Sequence, residues 1–428
     1  MELELDGKSS NDRAQRQTGN VDLNAFSDPN AQALLMHSIR EQLKALSQQT
    51  LSDSGRRTKL CSSFSEAMSM VLDVKPVEHC VLVKAFEGMY KHALMSMAEA
   101  KIDEAVLTHD YISPTGFIMS PLTCTHTIKD VYRVQSFVRG IDKAIAEKVK
   151  NRSTVRILYP ACGPFAPLLL PLLRYYKSQA KYESEQIKVT LVDIQPGAIH
   201  AINQLVSDLE VANYIELIEE ADATRFEPEH GYDLILVEAM QHGFSKEGHF
   251  SIARHLVNYL NLDGCVIPQE LVFHASMVVG ETEFQKQWLD ADFAHSDFAC
   301  SQAHQDRVPL GEIFRVNKST LLRQESIQLP SGIEVVEGQL ISLPKDVEDM
   351  SQRVLTIHTQ LKVYGDHDLG EYDSGITHPK TDLDFYFDLK PKSLQDHYVV
   401  VEGGDSVKFY YQLTGLPGFT MLAMEPDS

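Results

Sequence analysis

Between Val155 and Leu260 short, continuously apolar runs rich in β-branched residues alternate with amphipathic segments. VRILYP is followed by LLPLLRYYKSQA, KVTLVDI by AIHAINQLVSDLE, and YIELIEEA and YDLILVEAM by FSIARHLVNYL. A strand that is apolar at every position must be covered on both faces, whereas the intervening segments repeat their apolar residues at three- and four-residue spacing. The alternation therefore predicts a parallel sheet with helices packed on each side.

The flanking regions read differently. Residues 1–22 are polar and predict a tail, and residues 23–110 predict a helical N-terminal domain from patterns such as ALLMHSIREQLKAL, FSEAMSMVLDV and VLVKAFEGMYKHALMSMAEAKI. The methionines there (Met68, Met70, Met89, Met95, Met97) suit core filling. The α/β region spans 111–267. It opens with a loop-like stretch, YISPTGFIMSPLTCT, and a long helix, KDVYRVQSFVRGIDKAIAEKVK, whose face is marked by Val131, Val134, Val138, Ile141, Ile145 and Val149. From 268 to 428 the alternation becomes two-residue, as in RVLTIHTQLKVY and SVKFYYQL, and predicts an antiparallel β-barrel-like domain.

Charge and composition narrow the partners. With 39 basic against 60 acidic residues the formal charge is −21, which opposes a surface that follows nucleic-acid phosphates. Six cysteines lie scattered without metal-ligand or disulfide spacing, so no metal site is expected. The apolar stretch Pro164–Leu173 is too short to span a bilayer and the N-terminus lacks signal-peptide order, so a cytoplasmic location away from membranes is expected.

Chemistry-bearing residues gather at the carboxyl ends of the predicted strands. The first strand ends in YPACGPFAP, a strand-to-helix turn whose backbone N–H groups and helix N-terminus suit an anionic group. Only Gly163 stands where two or three glycines are usual, and Pro164, Pro167 and Pro171 are expected to distort the helix. The second strand delivers Asp193, placed to accept both hydroxyls of a ribose at the switch point of a doubly wound sheet. The third delivers Asp222, suited to an adenine amino group, and the fourth Glu238.

This ordered set resembles class I S-adenosylmethionine-dependent methyltransferases. EAMQHGFSKE, with Glu238 and Glu247 nine residues apart, followed by FSIARHLVNYLNLDG and CVIPQELVFHASMV, is similar to the double-glutamate loop, helix and Gly-x-x-x-Pro strand of the protein arginine methyltransferases. Asp130-Val131-Tyr132-Arg133 is similar to the family's Asp-x-x-Arg, and THPKTDLDFYFDL to its Thr-His-Trp loop with Pro379 in place of the tryptophan. The resemblance covers residues from about Thr127 onward. It implies a Rossmann-like methyltransferase core, S-adenosylmethionine held by Arg133, Ala161, Gly163, Asp193, Ile194 and Asp222, and catalysis by Glu238, Glu247 and His378. Tyr111 is a candidate for the family's N-terminal tyrosine motif. A homodimer is also implied, with an arm in the polar stretch from Glu281 to Asp306.

Two carboxylates can grip a guanidinium by paired, charge-assisted hydrogen bonds and draw its charge away from the attacking nitrogen. The expected acceptor is therefore a cationic nitrogen, on a protein arginine or on an arginine-like small molecule. A non-catalytic binding protein that keeps the fold is the rival reading. A serine hydrolase is excluded at GFSKEG, where Glu247 occupies the glycine position of a nucleophile elbow.

Overall fold

The computed structural model describes residues 52–280, 307–389, 393, 395 and 398–424. The predicted tail, the helical pattern up to residue 51 and the expected dimerisation arm lie outside these residues.

Among the described residues two helices come first, α1 (Asp53–Val71) and α2 (His79–Glu99). Ser52 caps α1 by accepting from the Gly55 N–H. Met68, Met89, Met95 and Met97 are buried, and Met70 is half-buried. The stretch expected to be a loop is instead a hairpin, β1 (Tyr111–Ser113) and β2 (Gly116–Ile118), followed by one helical turn at Pro121–Cys124. Pro114 and Thr115 make its tight turn, a chemistry suited to turns.

Helix α3 (Val131–Val149) leads into the central sheet. Its strands are β3 (Val155–Pro160), β4 (Ile187–Asp193), β5 (Ile215–Glu220), β6 (Tyr232–Leu236) and β7 (Leu260–Ile267). They lie in the order β5-β4-β3-β6-β7, all parallel. Chain order reverses beside β3, so the crevice at the carboxyl ends of β3, β4 and β6 is the switch point of a Rossmann-like core. The connections carry α4 (Leu170–Gln179), α5 (Pro196–Asp208) and α6 (His249–Leu256). Helix α4 is not distorted by its prolines. It starts late, at Leu170, and Pro171 sits in its first turn, where a missing N–H costs nothing.

Beyond the core the chain forms the expected antiparallel, barrel-like region. Strand β8 (Glu270–Val279) pairs with β9 (Val308–Asn317) and with β12 (Arg353–Tyr364), which also holds β13 (His367–Leu369) and β14 (Lys380–Asp382). A second sheet runs β10 (Ser326–Gln328), β11 (Glu334–Ser342), β17 (Ser406–Gln412), β18 (Gly418–Met424). Between the two sequences of strands β15 (Phe385–Phe387) and β16 (Val399–Val401) make a small parallel pair. Phe244, Phe250, Phe273, Phe314, Tyr411 and Phe419 cluster where this region meets the core, Phe244 reaching in from the loop after β6 to stack on Phe273 and Tyr411, Phe314 stacking on Tyr411, and the others meeting at tilted or edge-on angles. Among the described residues no helix is long and apolar enough to cross a membrane.

The first two helices share one continuous apolar core with the sheet, α1 lying on α4 and α2 on α5. A buried polar cluster fixes this junction. Asp208 at the end of α5 accepts from Arg56 (2.5 and 3.0 Å), Ser96 (2.6 Å) and Gln204 (3.0 Å). Burial alone raises the pKa of such a carboxyl, yet these donors hold Asp208 below its ordinary value. Replacing Arg56 by alanine removes the closest cationic partner of a buried carboxylate and leaves, among the described residues, only the cation of Arg57 with its Nε at 3.3 Å, and the expected cost is about 3 kcal/mol, read from denaturant unfolding.

Candidate functional site

One cavity opens at the carboxyl ends of β3, β4 and β6. Its walls include Arg133, Ala161, Gly163, Asp193, Ile194, Asp222, Glu238 and Glu247. Eight residues drawn from six separate stretches of sequence thus meet in one place.

The loop after β3 explains how a poor glycine pattern makes this wall. Ala161, Gly163 and Ala166 all take left-handed backbone conformations, φ 49°, 63° and 39°. Glycine adopts these freely, whereas each alanine costs about 1 kcal/mol or more, strain that the surrounding core must offset. The Gly163 N–H donates to Asp193 Oδ2 at 2.8 Å and the Gln195 N–H to Oδ1 at 2.9 Å. The loop's backbone is therefore spent on orienting Asp193. The N-terminus of α4, expected to face an anion, begins beyond the cavity wall at Leu170. Burial raises the Asp193 pKa to about 6 against these N–H donors, so the group is ionised at neutral pH with lone pairs left over for hydroxyl donors. Asp222 closes its own turn by accepting from the Thr224 N–H (2.9 Å) and hydroxyl (2.7 Å).

Arg133 and Glu238 form the floor. Asp130 caps α3 by accepting from the Arg133 N–H, which aims the arginine at the end of β6. There its guanidinium pairs with Glu238 Oε2, with both side chains at most one-tenth exposed. Arg133 Nε and Glu238 Oε1 are buried without a hydrogen-bond partner. A buried donor and acceptor left open on a cavity wall are the atoms that a bound polar group would satisfy.

Glu247 faces this pair from the loop after β6. Gly243, Phe244 and Lys246 have positive φ (63°, 54°, 67°), so this loop is the second strained segment of the site. The buried Phe244 ring pins it to the barrel region. Burial pushes the Glu247 carboxyl up to about 7, opposed by the nearby Arg133 charge and a Gln241 hydrogen bond.

The hairpin β1–β2 roofs this end of the cavity, with Ser113, Thr115 and Phe117 lining it. The Phe117 N–H donates to the Lys246 carbonyl (2.7 Å), Gly415 N–H to Pro114 (2.9 Å), and the Gln195 side chain to His109 and Met119 carbonyls (2.9 and 3.0 Å). No catalytic or binding motif in the sequence marks Ser113, Thr115 and Phe117. The signal for them is Pro-Thr-Gly between two short apolar pairs, Tyr111-Ile112 and Phe117-Ile118. Tyr111 lies on β1 within electrostatic reach of Asp222 and Asp193.

His378 stands outside the cavity wall. Its Nε2 donates to the Tyr372 carbonyl at 3.0 Å, and its charge is felt by Asp130. The same loop donates Ser374 Oγ to Asp130 Oδ2 (2.5 Å), which ties it to the cap of α3. Below it Glu371 accepts from Arg307 at 2.8 Å and lies 3.2 Å from His358 Nδ1, while His358 Nε2 meets Ser276 Oγ. The order serine, histidine, glutamate is that of a hydrolytic triad, but Ser276 is buried in mid-strand with β9 and β12 on either side. These residues anchor the loop, and Arg307 and His358 hold the Glu371 pKa near 2 against its burial. Among the described residues no three His, Cys, Asp or Glu side chains are set to hold a metal.

No family model and no curated protein matches the chain. Among solved structures it is similar to a Trypanosoma brucei PRMT1 enzyme-prozyme heterotetrameric complex with AdoHcy, at 12% identity over 71% of this chain and 98% of that one, TM-score 0.37. It is also similar to Arabidopsis thaliana protein arginine methyltransferase 10 in an open conformation, at 11% identity over 70% and 96%, TM-score 0.39.

The roof makes its own prediction. A Cβ on Gly116 would lie 2.7 Å from the Gly248 backbone nitrogen, so Gly116→Ala must lift the hairpin off Glu247. The expected result is a loss of about 1–3 kcal/mol in stability and a Glu247 pKa that falls from about 7 toward 4.5, followed by carboxyl-carbon NMR.

Proposed function

We propose that this protein is an S-adenosylmethionine-dependent N-methyltransferase acting on a guanidine or another cationic nitrogen. The observation that carries the reading is the convergence of Asp193, Arg133, Glu238 and Glu247 on one cavity at the switch point of a doubly wound sheet. The open Arg133 Nε fits a cofactor carboxylate, and the leftover lone pairs of Asp193 fit ribose hydroxyls. Asp222, Gly163, Ala161 and Ile194 complete the wall on which the nucleoside would lie. When bound, S-adenosylmethionine supplies an electrophilic methyl group on a sulfonium.

The chain's own residues then have two tasks. Glu238 and Glu247 grip the acceptor by charge-assisted hydrogen bonds, localise its positive charge away from the attacking nitrogen and fix its direction of approach. The roof of Ser113, Thr115 and Phe117 excludes water from that approach. His378, hydrogen-bonded to the Tyr372 carbonyl and coupled to Asp130, lies behind the cavity wall and helps hold the rim loop, a positioning role in place of the catalytic one its sequence position suggests. Homodimerisation belongs to the same reading, carried by the arm expected between Glu281 and Asp306.

The non-catalytic alternative makes no use of a carboxyl held near pKa 7 beside a second one. The sign of the pH dependence follows from Glu247. Its ionised form binds the cation, so kcat/KM should fall as pH drops through about 7. The test is transfer of labelled methyl from S-adenosylmethionine to guanidine compounds and to cell-lysate protein. Glu238→Gln should lower transfer at least a hundredfold while cofactor affinity stays within a few-fold. Transfer that survives this change, or an acid limb near 4.5, would remove the carboxylate clamp from the mechanism.

A further inference from the structure

Gln195 touches both halves of the site, and neither the carboxylate clamp nor the nucleoside wall makes use of its side chain. It follows Asp193 by two residues, lines the cavity and is 4% exposed. Its backbone N–H donates to Asp193 Oδ1 at 2.9 Å, and its carbonyl accepts from the Ala198 and Ile199 N–H groups in the first turn of α5 (3.0 and 3.2 Å). The side-chain amide points the other way. It donates to the carbonyls of His109 (2.9 Å) and Met119 (3.0 Å), which stand at the two ends of the β1–β2 hairpin.

The hairpin needs such a hold. Its strands are three residues each, Ile112 on β1 is 59% exposed, and a two-stranded ribbon that buries so little is marginally stable alone. Its position is set by what grips its ends. At the base these grips are Gln195 and the first turn of α5, where a Cβ on Gly197 would lie 3.0 Å from Pro121 Cγ and 3.1 Å from Val106 Cγ1. At the tip the hairpin backbone lies on the loop that carries Glu247. The Phe117 N–H donates to the Lys246 carbonyl (2.7 Å), and a Cβ on Gly248 would come within 2.9 Å of the Thr115 carbonyl oxygen. One series of contacts thus runs from the Asp193 carboxylate through Gln195 and the hairpin to Glu247.

A buried amide that only stabilised the hairpin could belong to any neighbouring element. This one belongs to the residue whose N–H holds the carboxylate suited to a ribose. Hydroxyls donating to Asp193 restrict that carboxylate and with it the Gln195 backbone, and a side chain fixed on two carbonyls passes the restriction on to the hairpin. Direct contact of a ligand with Ser113, Thr115 or Phe117 on the roof is the competing route, and it leaves the response of the hairpin independent of Gln195.

We propose that Gln195 is a positioning residue that couples the nucleoside site to the acceptor site. Occupation of the Asp193 wall orders the hairpin, and the ordered hairpin holds Glu247 in place beside Glu238. This rests on the reading of the cavity as an S-adenosylmethionine site and adds the route by which the cofactor prepares that site for the acceptor.

Hydrogen exchange followed by mass spectrometry on the full chain, with and without saturating S-adenosylhomocysteine, tests it. In the parent protein the ligand should slow exchange of the amides of residues 111–118 at least tenfold, together with those of residues 161–166 in the β3 loop, which report occupancy. Gln195→Met keeps the length of the side chain and the N–H on Asp193 but removes both amide donors, and Gln195→Glu keeps the shape while turning an acceptor toward two carbonyls. Each should bind S-adenosylhomocysteine within about tenfold of the parent and still protect the β3 loop, while exchange at 111–118 is faster at rest and changes less than about threefold on binding. Either variant that keeps its fold by circular dichroism is sufficient. A side chain serving stability alone would give faster exchange that the ligand still slows tenfold, and that result overturns the inference. Protection of the β3 loop without protection of the hairpin in the parent overturns it as well, with no variant needed. Failure of the parent to bind S-adenosylhomocysteine overturns it together with the methyltransferase reading.

Discussion

The buried pair of Arg133 and Glu238 is the interaction on which the rest of the site depends. It joins the helix that precedes the first core strand to the end of the fourth, across the switch point of the sheet. Two opposite charges in so little water are stable only if each is held by its own backbone setting. Asp130 supplies that for the arginine by capping α3, and the pairing of β6 with β3 and β7 supplies it for the glutamate. The pair still leaves one nitrogen and one oxygen open, so it is neutral in itself yet ready to exchange partners.

Strain is concentrated in the two loops that line the cavity. Ala161 and Ala166 on one side and Phe244 and Lys246 on the other adopt conformations that only glycine takes freely. Each loop is held by something rigid. The β3 loop is clasped by Asp193, and the β6 loop is nailed to the barrel region by the stacked Phe244 ring. The barrel-like sheets therefore act at a distance, fixing Glu247 through Phe244 and the rim loop through Glu371.

The parallel core was legible because full burial leaves a plain trace, namely strands apolar at every position. The acids at the strand ends were legible for a related reason, since a charged residue that closes an apolar run must sit at the sheet's edge. The hairpin at 111–118 was not, because three-residue strands carry too little pattern and its role comes from contacts with Gly248 and Lys246, more than a hundred residues away. The packing of α1 and α2 onto the core also escaped the sequence, since Arg56 and Asp208 are 152 residues apart and each looks like a surface charge alone. The place of His378, behind the cavity wall and hydrogen-bonded to its own loop, is likewise set by long-range anchors such as Ser276 and His358.

The central claim is that this strand-edge cavity is a nucleoside site ordered by Asp193. Equilibrium binding of S-adenosylhomocysteine to the purified protein and to its Asp193→Ala variant measures it directly. The account predicts saturable binding to the parent protein, weakened at least tenfold by the substitution in a chain that keeps its fold by circular dichroism. Absence of binding to the parent, or binding indifferent to the loss of Asp193, would contradict it.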